Sequence, residues 1–162
     1  MPPRDGDNVQ VSSSETWQRT IWTGVGGVLA VGVPDETRVV VGSHAGVGVF
    51  DASTGERVHR FRDSDYTWWH QDSFAIELRI PGSAPEHVSS MGLEGGSLPS
   101  TTPDGWSCQR SVDGATLTDG ELRIAVVDAE EFRALGFSPA GSLFVYATSP
   151  NLTVLRRRTV HP

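Results

Sequence analysis

Between Val28 and Phe61 the apolar positions come in short runs, VLAVGV, RVVVGS, VGVFDA and RVHRF, set apart by Pro34-Asp35, Ala45-Gly46 and Thr54-Gly55. Brief runs rich in Val and Phe, each bounded by turn-forming residues, predict an antiparallel meander of four strands. A second stretch repeats the pattern. Residues 132–156, FRALGFSPAGSLFVYATSPNLTVLR, align with 28–51 so that Ala134, Gly136 and Phe137 fall on Ala30, Gly32 and Val33. Leu143 to Val145 then fall on Val39 to Val41, and Val154-Leu155 on Val49-Phe50. The turn Ser138-Pro139-Ala140-Gly141 falls on Pro34 to Thr37. Such self-similarity predicts two copies of one supersecondary unit, with Phe50 and Leu155 as equivalent buried positions.

Between the copies the pattern predicts strands over His87–Leu93, Trp106–Ser111, Ala115–Thr118 and Glu121–Asp128, with hairpin turns at Val112-Asp113-Gly114 and Asp119-Gly120. These four would make an intervening unit. Ser73–Ile80, SFAIELRI, is a further strand with no evident partner. The run GLEGGSLPSTTPDG over 92–105 is a loop by composition. Thr16–Trp22, TWQRTIW, alternates as a strand. No helix is expected beyond one turn at Asp128–Arg133. Residues 1–14 are polar and read as a disordered tail, leaving 15–162 as a single domain.

Several of these residues resemble a known repeat. Phe50-Asp51 stands where WD40 blades often carry Trp-Asp. Asp51, Thr54 and Gly55 match the D-x-x-T-G of quinoprotein blades, and Ser138 to Gly141 is similar to the Ser-Pro-Asp-Gly turn of WD40 hairpins. Arg156 and His59 depart from the pattern, at the second Asp and at the docking Trp. The resemblance implies an all-β fold of β-propeller blade type, about three blades forming an incomplete or small propeller, its last blade completed by the N-terminal strand. It also implies a non-catalytic protein–protein interaction module on that platform, of which an inhibitor or immunity protein would be a narrower form. Three blades leave two faces open, so self-association or a protein partner is expected.

Charge narrows the classes of partner. The net charge of −7 argues against binding nucleic-acid phosphates or an anionic membrane surface. The N-terminal MPPRDGDNVQVSSSE has no apolar core like that of a signal peptide, and no run reaches membrane-spanning length, so a cytoplasmic protein is expected. Cys108 is the only cysteine, which excludes an intramolecular disulfide and a thiolate metal site.

Candidate chemistry concentrates in one stretch, Asp63 to Asp72, DSDYTWWHQD. In an extended chain Trp68 and Trp69 point to opposite faces, so one is core and the other is left for solvent or a ligand. Tyr66, Trp68, Trp69, His70 and Asp72 are therefore binding candidates, and the alternative to the platform reading is a small-molecule-binding protein or enzyme built here. His70 and Asp72 have the residue types of an acid–base couple. The plainer reading is a loop that packs Trp68 and solvates its carboxylates. Arg156 and Arg158, on one face of a strand, are either edge protection or an anchor for an acidic partner. The histidines are scattered without metal-ligand spacing on one element. No metal, cofactor or catalytic residue is predicted.

Overall fold

The computed structural model describes residues 10–11 and 16–158. The expected tail over 1–14 lies outside them, except for a two-residue strand β1 (Gln10–Val11). The remaining strands in chain order are β2 (Trp17–Gly24), β3 (Val28–Gly32), β4 (Arg38–Ser43), β5 (Gly46–Asp51), β6 (Arg57–Arg62), β7 (Trp69–His70) and β8 (Ala75–Leu78). There follow β9 (Glu86–Gly92), β10 (Gly95–Gly96), β11 (Ser107–Ser111), β12 (Gly114–Thr118), β13 (Arg123–Val127), β14 (Phe132–Phe137), β15 (Leu143–Thr148) and β16 (Asn151–Arg157). Among the described residues no helix is long and apolar enough to cross a membrane.

Both copies of the repeat form meanders. β3 to β6 run antiparallel in sequence order, as do β14 to β16. Each copy carries a bulge in its first strand, between Val28 and Ala30 or Phe132 and Ala134. Each has another where the third strand meets the fourth, with Val58 the extra residue on β6 and Thr20 the extra residue on β2. The turns Asp35–Thr37 and Asp51–Gly55 close in the same way. Asp35 Oδ1 accepts from the Thr37 amide at 2.8 Å, and Asp51 Oδ1 from the amides of Ser53 and Thr54 at 2.8 and 3.0 Å. A short side chain that satisfies backbone donors two and three residues on is why these positions turn.

The alignment of the copies is corrected by one residue after the first hairpin. Gly32 pairs with Val40, and Gly136 with Val145. Val39 faces Phe50, and Phe144 faces Leu155. Hence Phe144 and Val145, not Leu143 and Phe144, fall on Val39 and Val40. The second copy holds one more residue in its turn, and a one-residue slip exchanges the faces of a strand. Phe50 and Leu155 remain equivalent, and both are buried.

The propeller reading is overturned. A blade is a separate four-stranded sheet whose innermost strand borders a channel. Here that edge of β3 is taken by β9, with Ala30, Val31 and Gly32 paired to Gly92, Met91 and Ser90. The sheet therefore continues as β6-β5-β4-β3-β9-β8-β7, with β10 added on β9, and curls into a half-barrel. Glycine permits the join: a Cβ at Gly92 would overlap the carbonyl of Leu29, and one at Gly32 would strike Val88. The expected intervening unit is split by the same pairing. Its first strand becomes β9, while β11, β12 and β13 form a small sheet with β1. WD40-like, propeller and repeat-platform descriptions do not fit this topology; all-β does.

A third sheet has the order β14-β15-β16-β2, so the N-terminal strand pairs with the last one, Thr153 opposite Trp22 and Val154 opposite Ile21. It is the middle layer, and all six residues of β15 are buried. One of its faces joins Val145, Leu152 and Val154 to Val31, Val39 and Val41 of the large sheet. The other joins Trp17, Phe137, Phe144 and Leu155 to Trp106, Leu117 and Ile124 of the small one. A third cluster fills the curl of the large sheet, where Val40, Val47 and Val49 meet Ile76, Leu78 and Val88 around Trp68.

Candidate functional site

The segment that closes the half-barrel, residues 63–78, carries most of the candidate residues. It enters through Tyr66 at φ 57° and leaves β7 through Phe74 at φ 48°, the two non-glycine residues with positive φ among those described. Left-handed conformations at two aromatic residues are costly, and such outliers concentrate at functional sites. Between them Trp68 is 1% exposed and Trp69 half-buried, as alternation requires.

Trp68 lies over Gly42 of β4, where any side chain would collide with its six-membered ring. Tyr66 meets Trp68 edge-on with centroids 6.4 Å apart, and Trp69 meets it at 6.2 Å and 69°. The Trp69 indole N–H donates to Gln71 Oε1 at 2.9 Å. The Tyr66 hydroxyl lies 2.9 Å from His44 Nδ1, and that ring rests on Gly27, whose φ of 72° and missing Cβ leave room for it. These rings border a cavity of about 360 Å³, completed by Leu29, Ala30, Leu93 and the carboxylate residue Glu94. The Trp68 Nε1 is buried without a partner. A second cavity, about 450 Å³, is lined by glycines of the turns and β5 together with Phe50, Arg57 and Arg60.

His70 points to the other side of β7. The acid it meets is Glu77, with Nε2 3.3 Å from Oε1; Asp72 stands exposed in the turn that follows. His87, directly opposite Glu77 on β9, brings its own Nε2 to 3.5 Å from the same oxygen. The two imidazole rings stack at 4.3 Å with a tilt of 35°. The second oxygen of Glu77 accepts from Arg79 Nε at 2.5 Å. That hydrogen bond, aided by the charge of Arg79 and by both histidines, holds the Glu77 carboxyl below the usual range against the opposing effect of burial. Arg79 also reaches Asp63 Oδ2 at 3.4 Å and donates to the Thr67 hydroxyl at 2.9 Å.

No family model, curated protein or solved structure matches the chain.

Function must therefore be read from the sites. The interaction-platform reading falls with the blades on which it rested, and the two clusters flanking β7 favour a ligand site instead. Of the predicted residues, the fold brings Tyr66, Trp68 and Trp69 to one cavity and turns His70 away from it. Arg156 and Arg158 are exposed at the end of the middle sheet and border neither cluster. The intervening Arg157 stacks on Trp17 at 4.9 Å and on Trp106 at 5.6 Å, and its guanidinium pairs with Asp104. Cys108 packs in the cluster of Trp106, and burial pushes its thiol up to about 11, so it is not an activated nucleophile. Sequence reasoning missed His44, Leu29, Leu93, Glu94, Glu77 and His87. His44 and Leu29 lie in the meander that the pattern does predict, whereas Leu93, Glu94, Glu77 and His87 lie on or beside strands whose partners in the large sheet it does not show.

Proposed function

We propose that this domain binds a small organic cation in the aromatic cavity beside β7. The observation that carries the reading is the lining itself, in which Tyr66 and Trp69 each meet Trp68 edge-on, at 67° and 69°, and Glu94 is the lone carboxylate. Aromatic faces attract a cation, by about 2 kcal/mol when the site is desolvated, and a nearby carboxylate adds to the attraction. A volume of about 360 Å³ is at the small end for ligand sites, and suits a trimethylammonium-sized head better than a polycyclic ligand. The positive φ at Tyr66 and Phe74 supports the same region, since strained backbone of this kind concentrates at functional sites.

The test compares two probes of one shape. Choline and its uncharged isostere 3,3-dimethylbutan-1-ol are titrated calorimetrically against the chain and against Glu94→Gln. Choline is expected to bind at least about tenfold more tightly than the alcohol, the discrimination that about 1.4 kcal/mol supplies, and E94Q is expected to narrow the gap. Equal binding of the two probes, or no binding of either, overturns the reading.

A further inference from the structure

We propose that His70, Glu77 and His87 form a second site, for a divalent transition-metal ion of the zinc class, on the face of β7–β9 opposite the aromatic cavity. It does not depend on what that cavity holds.

Three adjacent strands supply the ligands. Glu77 and His87 are paired across β8 and β9, His70 pairs with Ala75 across β7 and β8, and Ala75 and Glu77 are two apart on one strand. Cross-strand partners share a face and so do alternate residues, so all three side chains stand on the same side of the sheet. Their donor atoms lie within 4.8 Å of one another. Four-coordinate zinc with bonds of about 2.0–2.1 Å has ligand–ligand edges of about 3.3–3.4 Å. The two imidazole nitrogens stand 3.3 and 3.5 Å from Glu77 Oε1, so the carboxylate edges of such a tetrahedron are already in place.

A second observation separates this cluster from an ordinary ion pair. His70 Nε2 is buried and has no hydrogen-bond partner, although a carboxylate oxygen is 3.3 Å away. A buried polar nitrogen left unpaired is uncommon and costly. A metal between Nε2 and Oε1 satisfies both atoms. The surroundings are also those of a ligand set. Arg79 fixes Glu77 through Oε2, leaving Oε1 to the imidazoles, and Arg79 is itself held by Asp63 and Thr67. Outer partners of this kind orient first ligands and sharpen metal affinity. His87 is 53% exposed, so a fourth position is open to water or an added ligand. Two imidazoles and one carboxylate favour zinc, nickel or copper over magnesium and calcium, which prefer oxygen alone.

The test uses the full chain, tag-free and stripped with a chelator, titrated with zinc against a chromophoric competitor and with cobalt(II) followed by its visible bands. One ion per chain is expected, with the intense spectrum of four-coordinate cobalt. His70→Ala and His87→Ala are each expected to weaken binding at least about tenfold, while His59→Ala, on β6, leaves it unchanged. Excess magnesium should not compete. Because His87 is exposed, H87A leaves the core intact and decides the matter even if H70A fails to fold; melting of the metal-free variants checks this. The absence of saturable zinc binding, binding undiminished in H87A, or equal competition by magnesium would each overturn the proposal. Choline titration of H87A should match the parent, so failure here is distinguishable from failure at the cavity.

Discussion

Gly42→Ala probes the contact on which the aromatic cavity is built. Gly42 lies in the middle of the large sheet, paired to Ala30 of β3 and Val47 of β5, so β4 cannot withdraw to make room. Its backbone angles are ordinary for any residue; the obstacle is the six-membered ring of Trp68. If that ring shifts within the core, overpacking costs about 1–3 kcal/mol. If it is expelled, about 150–250 Å² of aromatic surface returns to water, which at ~25 cal/mol per Å² costs about 4–6 kcal/mol. We expect a loss of at least about 2 kcal/mol, because Tyr66 and Trp69 abut the same ring and must move with it. Urea unfolding followed by far-ultraviolet circular dichroism measures the loss, and near-ultraviolet dichroism reports the disturbed rings. Gly26→Ala is the control. Nothing lies within 4 Å of its added methyl, so it should stay within about 1 kcal/mol of the parent. A loss below about 0.5 kcal/mol in G42A, with an unchanged aromatic spectrum, would refute the placement of Trp68.

Two further predictions concern the joints between sheets. Glu36 of the first copy holds the second copy's hairpin, accepting from the Ser138 hydroxyl, from the amides of Ala140 and Ser142 at 3.1 Å each, and from Ser142 Oγ at 2.8 Å. Burial alone would raise its pKa, but these bonds outweigh it and hold the carboxyl below 4.5. Its stabilisation is therefore complete above the unfolded value near 4.5 and lost as pH falls through the lower folded value. Glu36→Gln should cost about 1–3 kcal/mol at pH 7 and flatten the acid limb of a stability–pH curve; an unchanged limb would contradict the clamp. Deleting residues 1–12 removes β1 from the edge of β13, whereas deleting 1–23 also strips Trp17 and Ile21 from two cores and bares β16. The longer deletion should aggregate or fail to fold, and equal melting of the two truncations would contradict the pairing of β2 with β16.

What the sequence reveals of this fold follows from the range of the interactions concerned. Strands β3 to β6 and β14 to β16 are legible because Asp35, Asp51 and Ser138-Pro139 write their turns locally. The one-residue slip between the copies is not legible, since turns of different length look alike until a partner fixes the register. The pairing of β3 with β9 spans some sixty positions and depends on bare backbone at Gly32 and Gly92, which carries no periodic signal. That one pairing converts a supposed blade into a half-barrel. At the site, alternation correctly buries Trp68 and leaves Trp69 half-exposed. The convergence of His70, Glu77 and His87 stays hidden because SFAIELRI and EHVSSMG are separated by an irregular connection over 79–85 and do not declare themselves a hairpin. Once β8 and β9 are paired, period-two geometry alone places Glu77 opposite His87.

The central claim, an organic cation held by the aromatic rings beside β7, is tested most directly by the indole N–H signals of the five tryptophans in a two-dimensional ¹⁵N spectrum. Trp→Phe variants assign the signals, and choline is added stepwise. Trp68 and Trp69 are expected to shift along a saturable curve while Trp17 and Trp106, whose faces already hold Arg157, stay fixed with Trp22. No movement of Trp68 and Trp69 at saturating choline, or movement confined to the other three, would contradict the account.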